Sequence, residues 1–187
     1  MEGHKIPSTM ENPIDNLIRK YIVEPITPIL REKFNMVPDN VTFFRLLFGI
    51  VSLYYIYYEQ YIYGAILWGI AYVFDCIDGY MARKYQIFSK YGDYYDHFSD
   101  YSTFIVLLII LHLKDKGLLI AILLLFMLFT ISHMGCQEKI YNKKNESPTL
   151  NSFDTCYDVN DIKYTRYLGC GTLEIVIILC ILSMRLS

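Results

Sequence analysis

Four aspartates are the residues in this sequence whose type and spacing most clearly indicate chemistry. Asp75 and Asp78 are three residues apart and Asp96 and Asp100 are four apart, so each pair lies on one face of a helix. Residues 89–92 between the pairs are predicted to form the turn of a helical hairpin, which brings the two faces together. Four carboxylates in one place repel one another unless cations neutralise them. Because oxygen ligands suit hard divalent cations, the pattern predicts a site for two Mg²⁺ or Mn²⁺ ions.

Small and basic residues beside these aspartates indicate that the site handles a phosphate. Gly79 and Ala82 leave room next to Asp78 for a flat or phosphorylated ligand, and Arg83 offers a guanidinium to a phosphate oxygen. Two metals beside an arginine suit in-line phosphoryl displacement, because the metals activate the incoming oxygen and stabilise the leaving one. Helix-end carboxylates that are simply exposed to water would explain one or two aspartates better than four at regular spacing.

The elements that must position these residues are membrane helices. The chain has 187 residues, 54% of them hydrophobic, which is more than a soluble domain of this length carries. Four segments are apolar for long enough to cross a bilayer, and a fifth has a polar first half. The predicted spans are 41–58, 62–83, one from 93 onwards, 117–134 and 168–184. The predicted fold class is therefore an all-α, polytopic membrane bundle of about five transmembrane helices.

An amphipathic segment precedes the first span. Asn12 is a good N-cap, and Pro13 suits the first position of a helix. The residues that follow form one apolar face: Ile14, Leu17, Ile18, Tyr21 and Ile22. Pro25 and Pro28 are expected to end the helix. We predict an interfacial helix that lies in the membrane surface without crossing it.

The distribution of basic residues predicts the orientation. Lysines and arginines are concentrated ahead of the first span, between the second and third spans, and after the fourth. The positive-inside rule places these parts, and with them the aspartates, on the cytoplasmic side. The predicted organisation is an N-terminal tail and interfacial helix at 1–35 and a transmembrane catalytic domain at 36–187. Within that domain, 137–167 are predicted to form a cytoplasmic polar loop.

Charge and cysteine content exclude other classes of protein. The net charge is only −2 and no Lys/Arg-rich run is present, so a nucleic-acid partner is not expected. The five cysteines include no C-x-x-C pair, which predicts neither a disulfide framework nor a zinc site.

The complete spacing of the aspartate region resembles the signature of the CDP-alcohol phosphotransferase (class I CDP-alcohol phosphatidyltransferase) family. The run, with no position missing, is Asp75-x-x-Asp78-Gly79-x-x-Ala82-Arg83, eight residues, then Gly92-x-x-x-Asp96-x-x-x-Asp100. Upstream, the entry into the first span is similar to that of the family and reads Asn40-x-Thr42-x-x-Arg45. The family usually shows six spans, whereas this sequence predicts five.

The resemblance implies a metal-dependent transferase of phospholipid synthesis. Asp75, Asp78 and Asp96 would hold the metals. Asp100 would hold one metal and act as general base on the acceptor hydroxyl, whose oxygen attacks the β-phosphorus of a CDP-alcohol and releases CMP. The residues implied for the nucleotide pocket are Gly79, Ala82 and Arg83, with Asn40 and Thr42 at its edge and Gly92 allowing close helix packing. The implied partners are the CDP-alcohol donor, an alcohol or diacylglycerol acceptor, the lipid bilayer and a second copy of the chain.

Two alternatives stay open at this point. The small size resembles the branch that uses CDP-diacylglycerol, whereas Asp96-His97 and the N-terminal helix resemble the branch that uses CDP-choline or CDP-ethanolamine. Other classes of protein are a cation transporter or channel, since intramembrane aspartates also line ion paths, and a catalytically silent lipid-binding protein.

Overall fold

The computed structural model describes residues 7, 9–88, 90–141 and 161–186, and these residues contain helices and short connections but no strand. Helix α1 is a continuous helical run made of the segments Pro13–Ile18, Arg19–Val23, Glu24–Pro28 and Ile29–Lys33. The long helices that follow are α2 (Pro38–Tyr57), α3 (Tyr61–Tyr85), α4 (Lys90–Leu113) and α5 (Gly117–Tyr141). A short helix, α6 (Asp161–Thr165), precedes the last one, α7 (Cys170–Ser183).

The prediction of an all-α membrane bundle is confirmed. Among the described residues, four helical stretches are long and apolar enough to cross a membrane: Pro38–Tyr57, Tyr61–Tyr85, Gly117–Gln137 and Ile162–Ser183. Helix α4 is similarly long, and as predicted its first half carries the aspartates while its second half is apolar. Five membrane-crossing helices therefore agree with the structure.

The long helices pack around one apolar core. Helices α2 and α3 form a hairpin, α4 packs against α2, and α7 lies between α3 and α5. Each long helix contributes side chains to this core, among them Ile56, Trp68, Leu107, Leu123 and Ile177. Since the hairpin and α4 are packed together, the polar ends of α3 and α4 are held side by side.

Helix α1 begins as predicted but does not end as predicted. The side chain of Asn12 caps it by accepting a hydrogen bond of 2.9 Å from the backbone N–H of Ile14. The prediction that Pro25 and Pro28 end the helix is wrong, because π-helical turns at Arg19–Val23 and Ile29–Lys33 shift the hydrogen-bond register around the residues that lack an N–H.

The two faces of α1 have different surroundings. Leu17 and Tyr21 point away from the bundle and are 61% and 65% exposed. Asn12 and Arg19, on the other face, are buried against the protein. The side of the helix that faces the bundle thus carries both Arg19 and the fully buried Val23, while Leu17 and Tyr21 stay available to lipid, as in an interfacial helix.

The polar segment predicted at 137–167 starts and ends in helix. Helix α5 continues to Tyr141 and α6 starts at Asp161, while residues 142–160 lie outside the described part of the chain. Cys136, near the end of α5, takes part in a disulfide bond. The cysteines of the sequence show no spacing pattern from which this bridge could have been predicted.

Candidate active site

The predicted convergence of the aspartates occurs where the end of α3 meets the first half of α4. Asp75, Asp78 and Asp96 each present a carboxylate oxygen within 4.8 Å of the others. A second group with the same spacing consists of Asp96, His97 and Asp100. The two groups share Asp96, so each of two neighbouring cations would have three protein ligands within reach.

The donor set at this point fits divalent metal ions. The Oδ1 atom of Asp96 is buried and has no hydrogen-bond partner, which is costly for a carboxylate oxygen unless a cation binds it. Carboxylates are the ligands that Mg²⁺ and Mn²⁺ prefer, and one imidazole is compatible with Mn²⁺. The residues present therefore suit the two ions that the sequence predicts.

Thr42 connects α2 to the aspartate cluster. Its hydroxyl donates a hydrogen bond of 2.7 Å to Oδ2 of Asp78, and both side chains are buried. A ligating carboxylate that is held by a fixed donor keeps one orientation. Thr42 also lines the neighbouring cavity, so its position agrees with an edge role and adds contact with a predicted metal ligand.

Arg45 lies on α2, as Thr42 does, and also contacts the aspartates. Its Nε atom lies 3.3 Å from Oδ1 of Asp75, its Nη2 atom forms an ion pair with Asp100, and its Nη1 atom donates to the hydroxyl of Ser99. The residue is only 8% exposed. In the sequence, Arg45 stands in the motif at the entry to the first span, and no role was predicted for it. The signal that could have found it is an arginine within a membrane span.

A cavity of about 280 Å³ lies next to the aspartates. The nucleotide-pocket residues of the signature that line it are Gly79, Ala82, Arg83 and Gly92. A Cβ atom at Gly79 would lie 3.2 Å from Nη1 of Arg83, so the glycine lets the guanidinium lie against the helix. This combination provides space and a cation for a diphosphate.

Two predicted site residues are placed elsewhere. Asn40 is exposed and does not line the cavity; its Oδ1 atom accepts a hydrogen bond of 3.0 Å from the backbone N–H of Val37 at the start of α2. Asp100 does not line the cavity either, but its carboxylate lies within 4.8 Å of that of Asp96, which does, and forms an ion pair with Arg45. The structure therefore supports a helix-capping role for Asn40.

Residues from α1, α3 and α7 also meet beside the cavity, which was not predicted from the sequence. The hydroxyl of Tyr72 donates to Asp15, which also accepts a hydrogen bond from the backbone N–H of Gly171. Burial, as the largest cause, raises the pKa of Asp15 to about 6, although these two hydrogen bonds lower it. No periodicity in the sequence relates these three positions, because only tertiary packing brings them together.

Comparison with known proteins agrees with this geometry. Residues 35–150 match the family described as CDP-alcohol phosphatidyltransferase. The match covers more than half of the chain, including α2, α3, α4 and the four signature aspartates, and the chain therefore belongs to this family of membrane transferases of phospholipid synthesis. No curated protein and no solved structure matches the chain.

Proposed function

We propose that the chain transfers a substituted phosphate from a CDP-alcohol to an acceptor hydroxyl, with release of CMP, using two Mg²⁺ or Mn²⁺ ions held by Asp75, Asp78, Asp96 and Asp100. The observation that carries the proposal is the pair of ligand groups sharing Asp96, beside a cavity lined by Gly79, Ala82 and Arg83. When bound, the ions supply charge stabilisation for the phosphate oxygens.

The residues of the chain divide the remaining work. Arg83 binds the diphosphate of the donor, and Thr42 fixes the orientation of Asp78. Asp100, oriented by Arg45, takes the proton from the acceptor hydroxyl. The acceptor oxygen then forms a bond to the β-phosphorus, the bond between that phosphorus and the bridging oxygen breaks, and CMP leaves with the electron pair.

The cellular arrangement follows from the distribution of charge. The positive-inside rule puts the cavity on the cytoplasmic side, where the nucleotide donor is found. The family resemblance adds a homodimer to the proposal. Fluorescent labelling of single cysteines placed at Glu59 or Arg83 in sealed vesicles tests the orientation. Glu59 lies in the turn that joins α2 to α3, and Arg83 lies near the other end of α3, so the two positions should face opposite sides of the membrane.

The substitution Asp100→Asn tests the reaction itself. Purified protein with Mn²⁺, a CDP-alcohol and an acceptor should release CMP in the wild type, and the variant should lose at least about 100-fold in rate, as expected when a general base is removed. Asp115→Asn is the matched control, because Asp115 is exposed in the connection between α4 and α5 and Asn tolerates its positive φ of 56°. Unchanged CMP release by Asp100→Asn would contradict the mechanism. Uptake of Mn²⁺ into liposomes without CMP release would instead favour a transporter.

A further inference from the structure

We propose that the acceptor is an uncharged alcohol, not a phosphorylated one, and that it binds against residues of α1, α5 and α7. This inference rests on the proposed function and names the substrate class of its second site. The surface concerned, called the acceptor wall below, consists of Asp15, His133, Met134, Gln137 and Cys170, all of which line the cavity.

The acceptor wall belongs to the same cavity as the signature residues but comes from other helices. The Sγ atom of Cys170 lies 3.5 Å from Sδ of Met134, which joins α7 to α5. A Cβ atom at Gly169 would lie 3.0 Å from Cδ2 of His133, which shows how closely the start of α7 approaches α5. Because α3 and α4 supply the metal and nucleotide side, this wall is the surface left for the second substrate.

The charge of the cavity argues against a second phosphate. Two divalent ions carry four positive charges, which equal the charge of the four signature aspartates, and Arg45 adds one positive charge beside Asp75 and Asp100. The further carboxylates among the described lining residues are Glu11, Asp15, Asp39 and Asp93. The described lining contains two guanidinium groups, those of Arg19 and Arg83. The lining is therefore negative before the donor adds its own diphosphate, and another phosphate dianion would be repelled at short range.

Both guanidinium groups have other roles than binding the acceptor. The proposed function assigns Arg83, which lies against Gly79, to the diphosphate of the donor. Arg19 pairs with Glu11, donates to Asn16, and has its Nε atom 3.5 Å from Glu24. In the described lining, then, neither arginine is positioned to bind a phosphate on the acceptor.

The polar groups that α5 contributes to the wall are neutral. The Nε2 atom of His133 lies 2.7 Å from the amide nitrogen of Gln137, which must donate because that nitrogen carries no lone pair for hydrogen bonding. The proton of the ring therefore resides on Nδ1, from which it is donated to the hydroxyl of Thr165 at 2.9 Å. With both ring nitrogens bonded, His133 holds the side-chain amide of Gln137, and the second N–H and the carbonyl oxygen of that amide can bind a hydroxyl without the charge that a phosphate requires.

Acceptor competition tests the inference. Purified protein with Mn²⁺ is supplied with CDP-diacylglycerol, CDP-choline or CDP-ethanolamine, each with diacylglycerol, myo-inositol or glycerol 3-phosphate, and CMP release is measured. We expect release with diacylglycerol or myo-inositol, and the two arms separate a lipid alcohol from a soluble one. Release with glycerol 3-phosphate as fast as with the uncharged alcohols overturns the inference but not the proposed function. No release with any pair overturns both.

Gln137→Met locates the site, because methionine has a similar size but no hydrogen-bonding amide. We expect the KM of the acceptor to rise about fivefold or more, the effect of one lost hydrogen bond, while the KM of the donor stays within twofold. Gln60→Met is the matched control, since Gln60 lies in the exposed connection between α2 and α3. An equal rise in both KM values, or no change in either, contradicts the assignment of the acceptor wall.

Discussion

Thr42 and Asp78 are joined by a hydrogen bond of 2.7 Å between two side chains that are 4% and 5% exposed. The bond connects α2 to α3 across 36 positions of the sequence. A buried carboxylate with one oxygen bound to a neutral donor keeps a single orientation, which is what a metal ligand requires.

Replacing Thr42 by valine should weaken the metal site while keeping the shape of the side chain. Loss of a partner that orients a metal ligand typically costs about 10-fold to 100-fold in metal affinity or activity. Metal affinity is measured as Mn²⁺ binding, followed by electron paramagnetic resonance of the free ion. Activity is measured as CMP release. Thr42→Ser keeps the hydroxyl and should stay near the wild type. If serine and valine have the same effect, the hydrogen bond is not what matters at this position.

Arg45 gives the second prediction, since it pairs with Asp75 and Asp100. Its removal leaves two carboxylates, whose side chains are 29% and 37% exposed, without their counter-charge, and solvent screens part of the repulsion that results. Bound metal ions supply that charge instead. Arg45→Gln should therefore lower the melting temperature in EDTA, and added Mn²⁺ should raise it by more than in the wild type.

The control for Arg45 is Arg185→Gln, because Arg185 is exposed beyond the end of α7. Intrinsic fluorescence of the detergent-solubilised proteins, recorded on heating in EDTA and in Mn²⁺, gives the melting temperatures to be compared. A shift on adding Mn²⁺ that is the same in Arg45→Gln as in the wild type would show that the arginine does not neutralise the cluster.

The aspartates could be predicted from sequence because their spacing is a local property of helices. An i, i+3 or i, i+4 pair shares a face in any helix, and a short turn between two such helices brings the faces together. The apolar runs predicted the spans for the same reason, since their length is set by the bilayer.

The role of Arg45 and the acceptor wall could not be predicted in this way. Arg45 reaches Asp100 only because α2 packs against α4, and the spacing of 55 residues carries no information about that packing. His133 is buried and hydrogen-bonded, and its position beside the cavity depends on how α5 meets α7.

Asp15 gives a prediction about pH. Burial raises its pKa from 3.8 to about 6, with Glu11 and Asp75 adding to the rise and the hydrogen bonds from Tyr72 and Gly171 opposing it. Because the folded state favours the protonated form, the stabilising contribution is complete below pH 3.8 and is lost as the pH rises through about 6. The shift sets an upper limit of about 3 kcal/mol on this contribution.

Asp15→Asn should remove this pH dependence. Between pH 4.5 and 7.5 the melting temperature of the wild type should fall relative to that of the variant, and the difference should develop around pH 6. The exposed Asp115, changed to Asn, serves as the control and should follow the wild type. Parallel curves for Asp15→Asn and the wild type would contradict a buried, protonated Asp15.

Gly171 is the residue that allows Asp15 and Tyr72 to meet the start of α7. A Cβ atom there would lie 2.6 Å from Oδ1 of Asp15 and 2.8 Å from the hydroxyl of Tyr72, closer than real side chains pack. Gly171→Ala should therefore destabilise the protein by about 1 to 3 kcal/mol, the usual cost of overpacking. Gly117→Ala is the matched control, because a Cβ atom at Gly117 meets nothing within 4 Å at the start of α5. Denaturation of both variants in the same detergent measures the difference, and equal stabilities would contradict the close approach of α1, α3 and α7.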